Sequence, residues 1–196
     1  GELSADLRFT ASSALNQVRW PEIRQAAAEL LPAPMGRDAT PLPPVADLLK
    51  MRGDVARGGM VFLRQETACG QCHMIGDQGK DFGPALSEIG AKLGKDAIYE
   101  AILDPSSGIS FDYEAWEIET HAGDEFYGIV VDETADEVTI KDAQAIATKI
   151  AVKDIARRRK ATSSIMPAGL QMTMSTQDLV DLVEYLASLK AEKPSN

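Results

Sequence analysis

The chain has 196 residues, 44% of them hydrophobic, and a formal net charge of −10 at pH 7. This length suits one domain with an extension or two small domains, and the hydrophobic content is that of a globular protein. Nucleic acid is excluded as an expected partner because phosphate binding needs a basic face. A membrane span is not predicted, because the apolar segments are short and interrupted by charges.

Residues 1–44 predict a helical extension followed by a linker. Two short helices are expected, from Ala5 to Asn16 and from Pro21 to Leu31, the second with apolar residues at helical spacing. Five prolines between residues 32 and 44 disfavour helix and predict an extended connection. We therefore expect the main domain to occupy residues 45–196.

Three further helices are predicted in this domain. The first begins at Asp54, a good N-cap residue, and ends near Arg64. The second, at residues 96–103, must end before Pro105. The third begins at residue 175 or 176, continues to about 190 and carries an apolar stripe at helical spacing. A glycine in the first of these helices would allow the last one to cross it closely, with Phe62 filling the space alongside.

The strongest chemical signal follows the first of these helices. Residues 69–73 read Cys-Gly-Gln-Cys-His, the C-x-x-C-H sequence typical of c-type haem attachment. Two thiols three positions apart can form thioethers with the two haem vinyl groups, and the following histidine then lies under the iron. The chain has two cysteines, both here, and one of its two histidines completes the motif. We predict one covalent haem c, held by Cys69, Cys72 and the iron ligand His73.

Other interpretations of the two cysteines fit less well. A structural zinc site normally needs four Cys or His ligands, and His121, the second histidine, is 48 positions from His73. A thioredoxin-like C-x-x-C expects a βαβ setting, whereas the flanks here predict an amphipathic helix and a glycine-rich loop. A disulfide between Cys69 and Cys72 is expected only where haem attachment fails.

The histidine needs an orienting partner, and the iron needs either a sixth ligand or an open face. The backbone carbonyl of Pro84 could accept a hydrogen bond from one ring nitrogen of His73, leaving the other for iron, although a simple loop turn is the alternative. Met166, in a Met-Pro pair before the last helix, is the predicted sixth ligand. Met172 and Met174 are alternatives in the same loop, whereas His121 is expected at an exposed hairpin tip.

Residues 111–156 predict an inserted β structure. Four short strands are expected, at residues 115–120, 126–132, 137–141 and 148–155. Residues 111–155 contain twelve acidic and three basic side chains, a net charge of −9. This charge indicates either a solvated sheet face or a docking surface for a basic redox partner. The basic run 157–160 that follows is either solvated or compensates the haem propionates.

The motifs resemble those of class I cytochromes c. The matching elements are the C-x-x-C-H sequence, Gly83-Pro84-x-Leu86, Met166-Pro167, and the last helix with Leu182 and Tyr185. More specifically, the chain is similar to the haem-binding domain at the C-terminus of membrane-bound dehydrogenase-like proteins of planctomycetes and verrucomicrobia. Residues 53–58, 101–106 and 164–170 carry this similarity, which covers about residues 45–190.

The resemblance implies a mainly α cytochrome c fold with an inserted small antiparallel β-sheet, α+β overall, and a short N-terminal helical extension. It also implies a domain that is not itself an enzyme. This domain would carry single electrons on a haem ligated by His73 and Met166, accepting them from a fused or partner periplasmic dehydrogenase. The alternative function is a haem sensor or peroxidase-like domain with an open or displaceable sixth site. A peroxidase would use a distal acid–base group, and the sequence shows none.

The expected location is periplasmic or otherwise extracytoplasmic, because haem c is attached outside the bacterial cytoplasm. The sequence shows no secretory signal. We therefore expect that a signal has been removed or lies upstream in a longer chain, and we favour a C-terminal piece of a larger protein.

Overall fold

The structure is a computed structural model that describes Ala26, Leu30 and residues 35–38 and 40–190. The helices predicted at residues 5–16 and 21–31 therefore lie outside the described residues, apart from Ala26 and Leu30, which are helical. The chain divides into two compact units. Unit 1 comprises Gly1–Cys69, Leu86–Ser107 and Ala168–Asn196, and unit 2 comprises Gly70–Ala85 and Gly108–Pro167.

Unit 1 is helical in its described part. Its helices are α1 (Val45–Leu48), α2 (Val55–Leu63), α3 (Ile89–Lys92), α4 (Lys95–Leu103) and α5 (Thr176–Ser188). Side chains cap the two ends that the sequence predicted: Asp54 accepts the N–H of Arg57, and Ser175 forms a capping box with Asp178. The three predicted helices are confirmed as α2, α4 and α5, within two residues at each end. Within the described ranges, every helix is too short or too polar to cross a bilayer.

Helices α2 and α5 cross at Gly58. A Cβ atom at this position would overlap the main-chain carbonyl of Asp181, so the two backbones approach closely only because residue 58 has no side chain. Beside the crossing, the rings of Phe62 and Tyr185 have their centroids 6.2 Å apart. The core of the unit includes Leu179 and Val183, both fully buried.

A buried carboxylate fixes the beginning of α2 against α5. Asp181 is 2% exposed and accepts hydrogen bonds from Nε of Arg57 at 2.7 Å and from the backbone N–H of Asp54 at 2.8 Å. Gln177 donates a further bond at 2.8 Å. Burial alone would raise the pKa of Asp181, but these hydrogen bonds outweigh it and lower the pKa.

Unit 2 contains a five-stranded antiparallel sheet. Its strands are β1 (Ala115–Thr120), β2 (Glu125–Glu133), β3 (Glu137–Lys141), β4 (Ala147–Ala151) and β5 (Ile155–Lys160), in the order β4-β3-β2-β1-β5. One face of the sheet carries a core of Ile118, Val138, Ile140 and Ile150. Strands β1, β2, β3 and β4 pair successively as hairpins. Strand β5 then pairs with the other side of β1, which places Arg158 opposite Ile118.

The predicted mainly α cytochrome c fold with a small inserted sheet was wrong. The described residues form an α+β fold, with five helices and a five-stranded antiparallel sheet. Helices α1 and α3 have only four residues each. The expected strand 148–155 is instead two strands, β4 and β5, separated by a 3₁₀ turn at Val152–Asp154.

The fifth strand accounts for much of this difference. It contains the basic run 157–160, whose consecutive charges show none of the apolar alternation that indicates a strand. A glutamate satisfies each cation: the pairs are Arg157 with Glu119, Arg158 with Glu133, Arg159 with Glu117, and Lys160 with Glu114. Four of the twelve acidic side chains in residues 111–155 are therefore paired with β5.

Candidate functional site

Within unit 1, a turn closed by Thr67 leads the chain from α2 to the first cysteine. The side chain of Thr67 is fully buried, and its Oγ1 lies 2.6 Å from the carbonyl oxygen of Val61 and 2.9 Å from that of Arg64. Sγ of Cys69 lies 3.6 Å from the carbonyl oxygen of Thr67. The end of α2 therefore determines where the first thiol lies.

The helix before this turn has an uncovered apolar side. Met60 is 64% exposed and Leu63 is 58% exposed, on the side of α2 opposite the buried Val61 and Phe62. Exposed apolar surface of this kind commonly marks a binding surface. A hydrophobic ring system attached at Cys69 would have apolar side chains of the same unit to pack against.

In unit 2, residues 70–85 form a loop that closes around Cys72 and His73. The carbonyl oxygen of Cys72 accepts the backbone N–H groups of Phe82, at 3.2 Å, and Gly83, at 2.6 Å. Phe82 is buried and anchors this part of the loop. These contacts hold the segment after the motif against the motif itself.

The imidazole of His73 is oriented by this loop. Its Nδ1 lies 2.8 Å from the carbonyl oxygen of Pro84. Because a carbonyl only accepts, Nδ1 carries the proton, and the lone pair of Nε2 remains available to a metal. Burial lowers the pKa of His73, partly opposed by the hydrogen bond to Pro84. The ring is therefore neutral at pH 7, the state in which histidine ligates metals.

Two glycines allow the loop to approach His73. A Cβ at Gly83 would lie 2.8 Å from Cε1 of the His73 ring, closer than side-chain atoms pack. Gly79 has a φ of 101°, and a Cβ there would overlap the carbonyl oxygen of His73. Sequence reasoning did not identify these roles. The signal available was the spacing of two glycines shortly after the motif.

Both cysteines of the motif are thiols. No disulfide joins Cys69 and Cys72, and both are partly exposed. Burial raises the pKa of the Cys72 thiol, partly opposed by the charge of Lys80.

Within the part of the chain that the structure describes, no hydrogen bond joins Met166 to His73. Met166 follows β5 in the chain and is half-buried, and its backbone N–H donates to Oγ of Ser164 at 3.2 Å. Met172 is exposed, Met174 is buried and His121 is exposed. The role of Met166 as sixth ligand stays a prediction.

No protein-family model matches the chain, and no curated protein matches it. The resemblance to class I cytochromes c therefore depends on the motif residues alone.

Proposed function

We propose that this chain is a c-type haem domain that carries single electrons. The haem would be bound covalently through Cys69 and Cys72, with His73 and Met166 as iron ligands. The observation that carries the proposal is the 2.8 Å hydrogen bond between Nδ1 of His73 and the carbonyl oxygen of Pro84. Within a C-x-x-C-H sequence, this bond directs Nε2 towards metal ligation.

The residues of the loop fit a covalent haem. Each thiol of the motif can add its S–H across a vinyl double bond, so the two thioethers need no oxidant. Gly83 leaves room for the ring of His73, and Pro84 keeps that ring in one tautomer. Bound haem c supplies a one-electron redox centre, and the protein's part is to set its ligands and surroundings.

The expected partner is a dehydrogenase, fused to the chain or separate, that delivers electrons in the periplasm or another extracytoplasmic space. This part of the proposal follows from the family resemblance and from where haem c is attached. In it the chain itself transforms no substrate.

The proposal is tested by producing the full chain together with haem c maturation machinery. Intact mass under denaturing conditions should show one haem retained in the wild type and none in Cys69→Ala/Cys72→Ala. The ferric protein should be low-spin, with the weak far-red absorption band of an iron–methionine bond. Met166→Ala should lose that band and bind carbon monoxide on reduction, whereas Met172→Ala, a change at an exposed methionine of the same loop, should keep it.

Two results would contradict the proposal at different levels. A wild-type chain that retains no haem under these conditions would refute haem attachment. A high-spin ferric protein that binds carbon monoxide on reduction would refute Met166 as the sixth ligand and favour the sensor or peroxidase-like alternative.

A further inference from the structure

The side chain of Lys141 leaves the sheet and reaches the loop that holds His73. Its Nζ donates to the backbone carbonyl of Asp81 at 2.9 Å and lies 3.5 Å from Oδ2 of the same residue. The Lys141 side chain is only 20% exposed, whereas the Asp81 side chain is 79% exposed. The bond to the main chain is the shorter of the two contacts.

The accepting carbonyl, that of Asp81, lies next to the residues that contact Cys72 and His73. Asp81 directly precedes Phe82 and Gly83, whose N–H groups bond to Cys72, and it lies three residues before Pro84, which holds the His73 ring. A constraint on the Asp81 carbonyl is thus a constraint on the segment that orients the imidazole. A bond with a charged donor is also stronger than one between neutral groups.

The donor, Lys141, lies on a strand that is hydrogen-bonded on both sides. Lys141 ends β3, an interior strand, and its backbone pairs with Ile129 of β2 and Ala147 of β4. On the β2 side, Gly128 allows close approach, because a Cβ there would overlap the Lys141 carbonyl. The sheet therefore presents the ammonium group from a fixed position.

We infer that Lys141 is a positioning residue for His73, through which the sheet holds the 81–84 segment and keeps the Pro84 carbonyl on Nδ1. The consequence for iron rests on the proposed function: an orienting partner of an axial histidine adjusts ligand basicity and with it the reduction potential. The sheet would then be part of the redox site rather than only a docking module.

The test compares Lys141→Met with Lys149→Met in the full chain. Lys149 is a matched control because it lies on the neighbouring strand β4 and pairs with Glu137 near the sheet surface. Loss of the Lys141 bond should accelerate hydrogen exchange at the Phe82 and Gly83 amides by about tenfold, with no change in Lys149→Met. Asp81→Asn should resemble the wild type, because the main-chain acceptor is retained.

The exchange measurement is made on the haem-loaded chain, or on the chain without haem if none attaches. Failure of haem attachment is thereby distinguished from failure of Lys141 to hold the 81–84 segment. In the loaded chain, Lys141→Met should also shift the His73 Nδ1–H resonance and the reduction potential. Wild-type exchange rates in Lys141→Met would overturn the inference, as would an effect of Asp81→Asn equal to that of Lys141→Met. If Lys141→Met does not fold, Lys141→Gln shortens the side chain, removes the charge, and should give the same acceleration.

Discussion

Arg64 and Asp178 are joined by two side-chain hydrogen bonds, from Nη2 to Oδ1 at 2.9 Å and from Nη1 to Oδ2 at 3.2 Å. Arg64 is the C-cap residue directly after α2, and Asp178 belongs to the first turn of α5. The bond from Arg64, assisted by Ser175, lowers the pKa of Asp178 to about 2. This pair therefore connects the end of the helix that leads to Cys69 with the beginning of the last helix.

Asp178→Asn should make the chain less stable at neutral pH and less sensitive to acid. The pKa of Asp178 in the folded protein, about 2, lies below its ordinary value of 3.8. Its contribution is thus full above the unfolded pKa and is lost as pH falls through the folded pKa. We expect a loss of about 2 kcal/mol in the free energy of unfolding at pH 7. Denaturant unfolding should show this difference shrinking between pH 4 and pH 2.

A suitable control is Asp47→Asn, because Asp47 forms an exposed pair with Lys50. This change should alter stability by less than about 0.5 kcal/mol. A loss in Asp178→Asn that is the same at pH 7 and at pH 2.5 would contradict the assignment.

Two neighbouring glycines of α2, Gly58 and Gly59, should respond differently to substitution by alanine. Gly58→Ala places a methyl group on the main chain of Asp181 and should lower stability by about 3 kcal/mol by forcing α2 and α5 apart. Gly59→Ala places its methyl group 3.5 Å from the Tyr185 ring, an ordinary contact. Because alanine favours helix, we expect this variant to be unchanged or more stable by up to about 1 kcal/mol. Equal urea midpoints for the two variants would disprove the close crossing.

Gly83→Ala should displace the His73 ring. The new methyl group would lie 2.8 Å from Cε1 of His73, so the ring or the loop must move and the bond to Pro84 should be weakened. We expect a loss of stability of about 1–2 kcal/mol and loss of the His73 Nδ1–H signal in the NMR spectrum. Gly108→Ala is the control, because a Cβ there meets nothing within 4 Å. An unchanged Nδ1–H signal in Gly83→Ala would count against the packing of loop on ring.

Arg158 should contribute more to stability than its neighbour on β5. Its guanidinium lies 4.2 Å from the Trp116 ring centroid and donates two hydrogen bonds to Glu133, at 2.7 and 2.9 Å. Arg158→Met should therefore lower the free energy of unfolding by about 2 kcal/mol. Arg157→Met removes only an exposed pair with Glu119 and should cost less than about 0.5 kcal/mol. Thermal unfolding followed by circular dichroism measures both, and similar shifts would refute the special role of Arg158.

Local signals explain which elements the sequence could predict. Helices α2 and α5 begin at Asp54 and Ser175, whose capping chemistry involves residues only three positions away. Strands β1 and β3 were predicted with their observed ends. Strand β5 was not predicted. The glutamates that pair with its cationic side chains lie 25 to 46 positions earlier in the chain, too far away for a local sequence pattern to show.

In the candidate site, too, some features follow from local sequence and others depend on the fold. The motif residues and Pro84 lie within sixteen positions of one another, so their chemistry can be inferred from order and spacing. The approach of Gly83 to the His73 ring depends on how the loop folds back. The bond between Lys141 and Asp81 spans 60 positions and depends on the registers of β2, β3 and β4, which no local pattern specifies.

The order of strands leaves the sheet with two unlike edges. Along β5, four consecutive long cationic side chains stand where another extended chain would have to pair, and such side chains deter pairing. Strand β4 reads Ala-Thr-Lys-Ile-Ala and carries one such side chain, Lys149. Growth of the sheet by strand addition is therefore less hindered by charged side chains at β4 than at β5. A second lysine in β4 would oppose such growth.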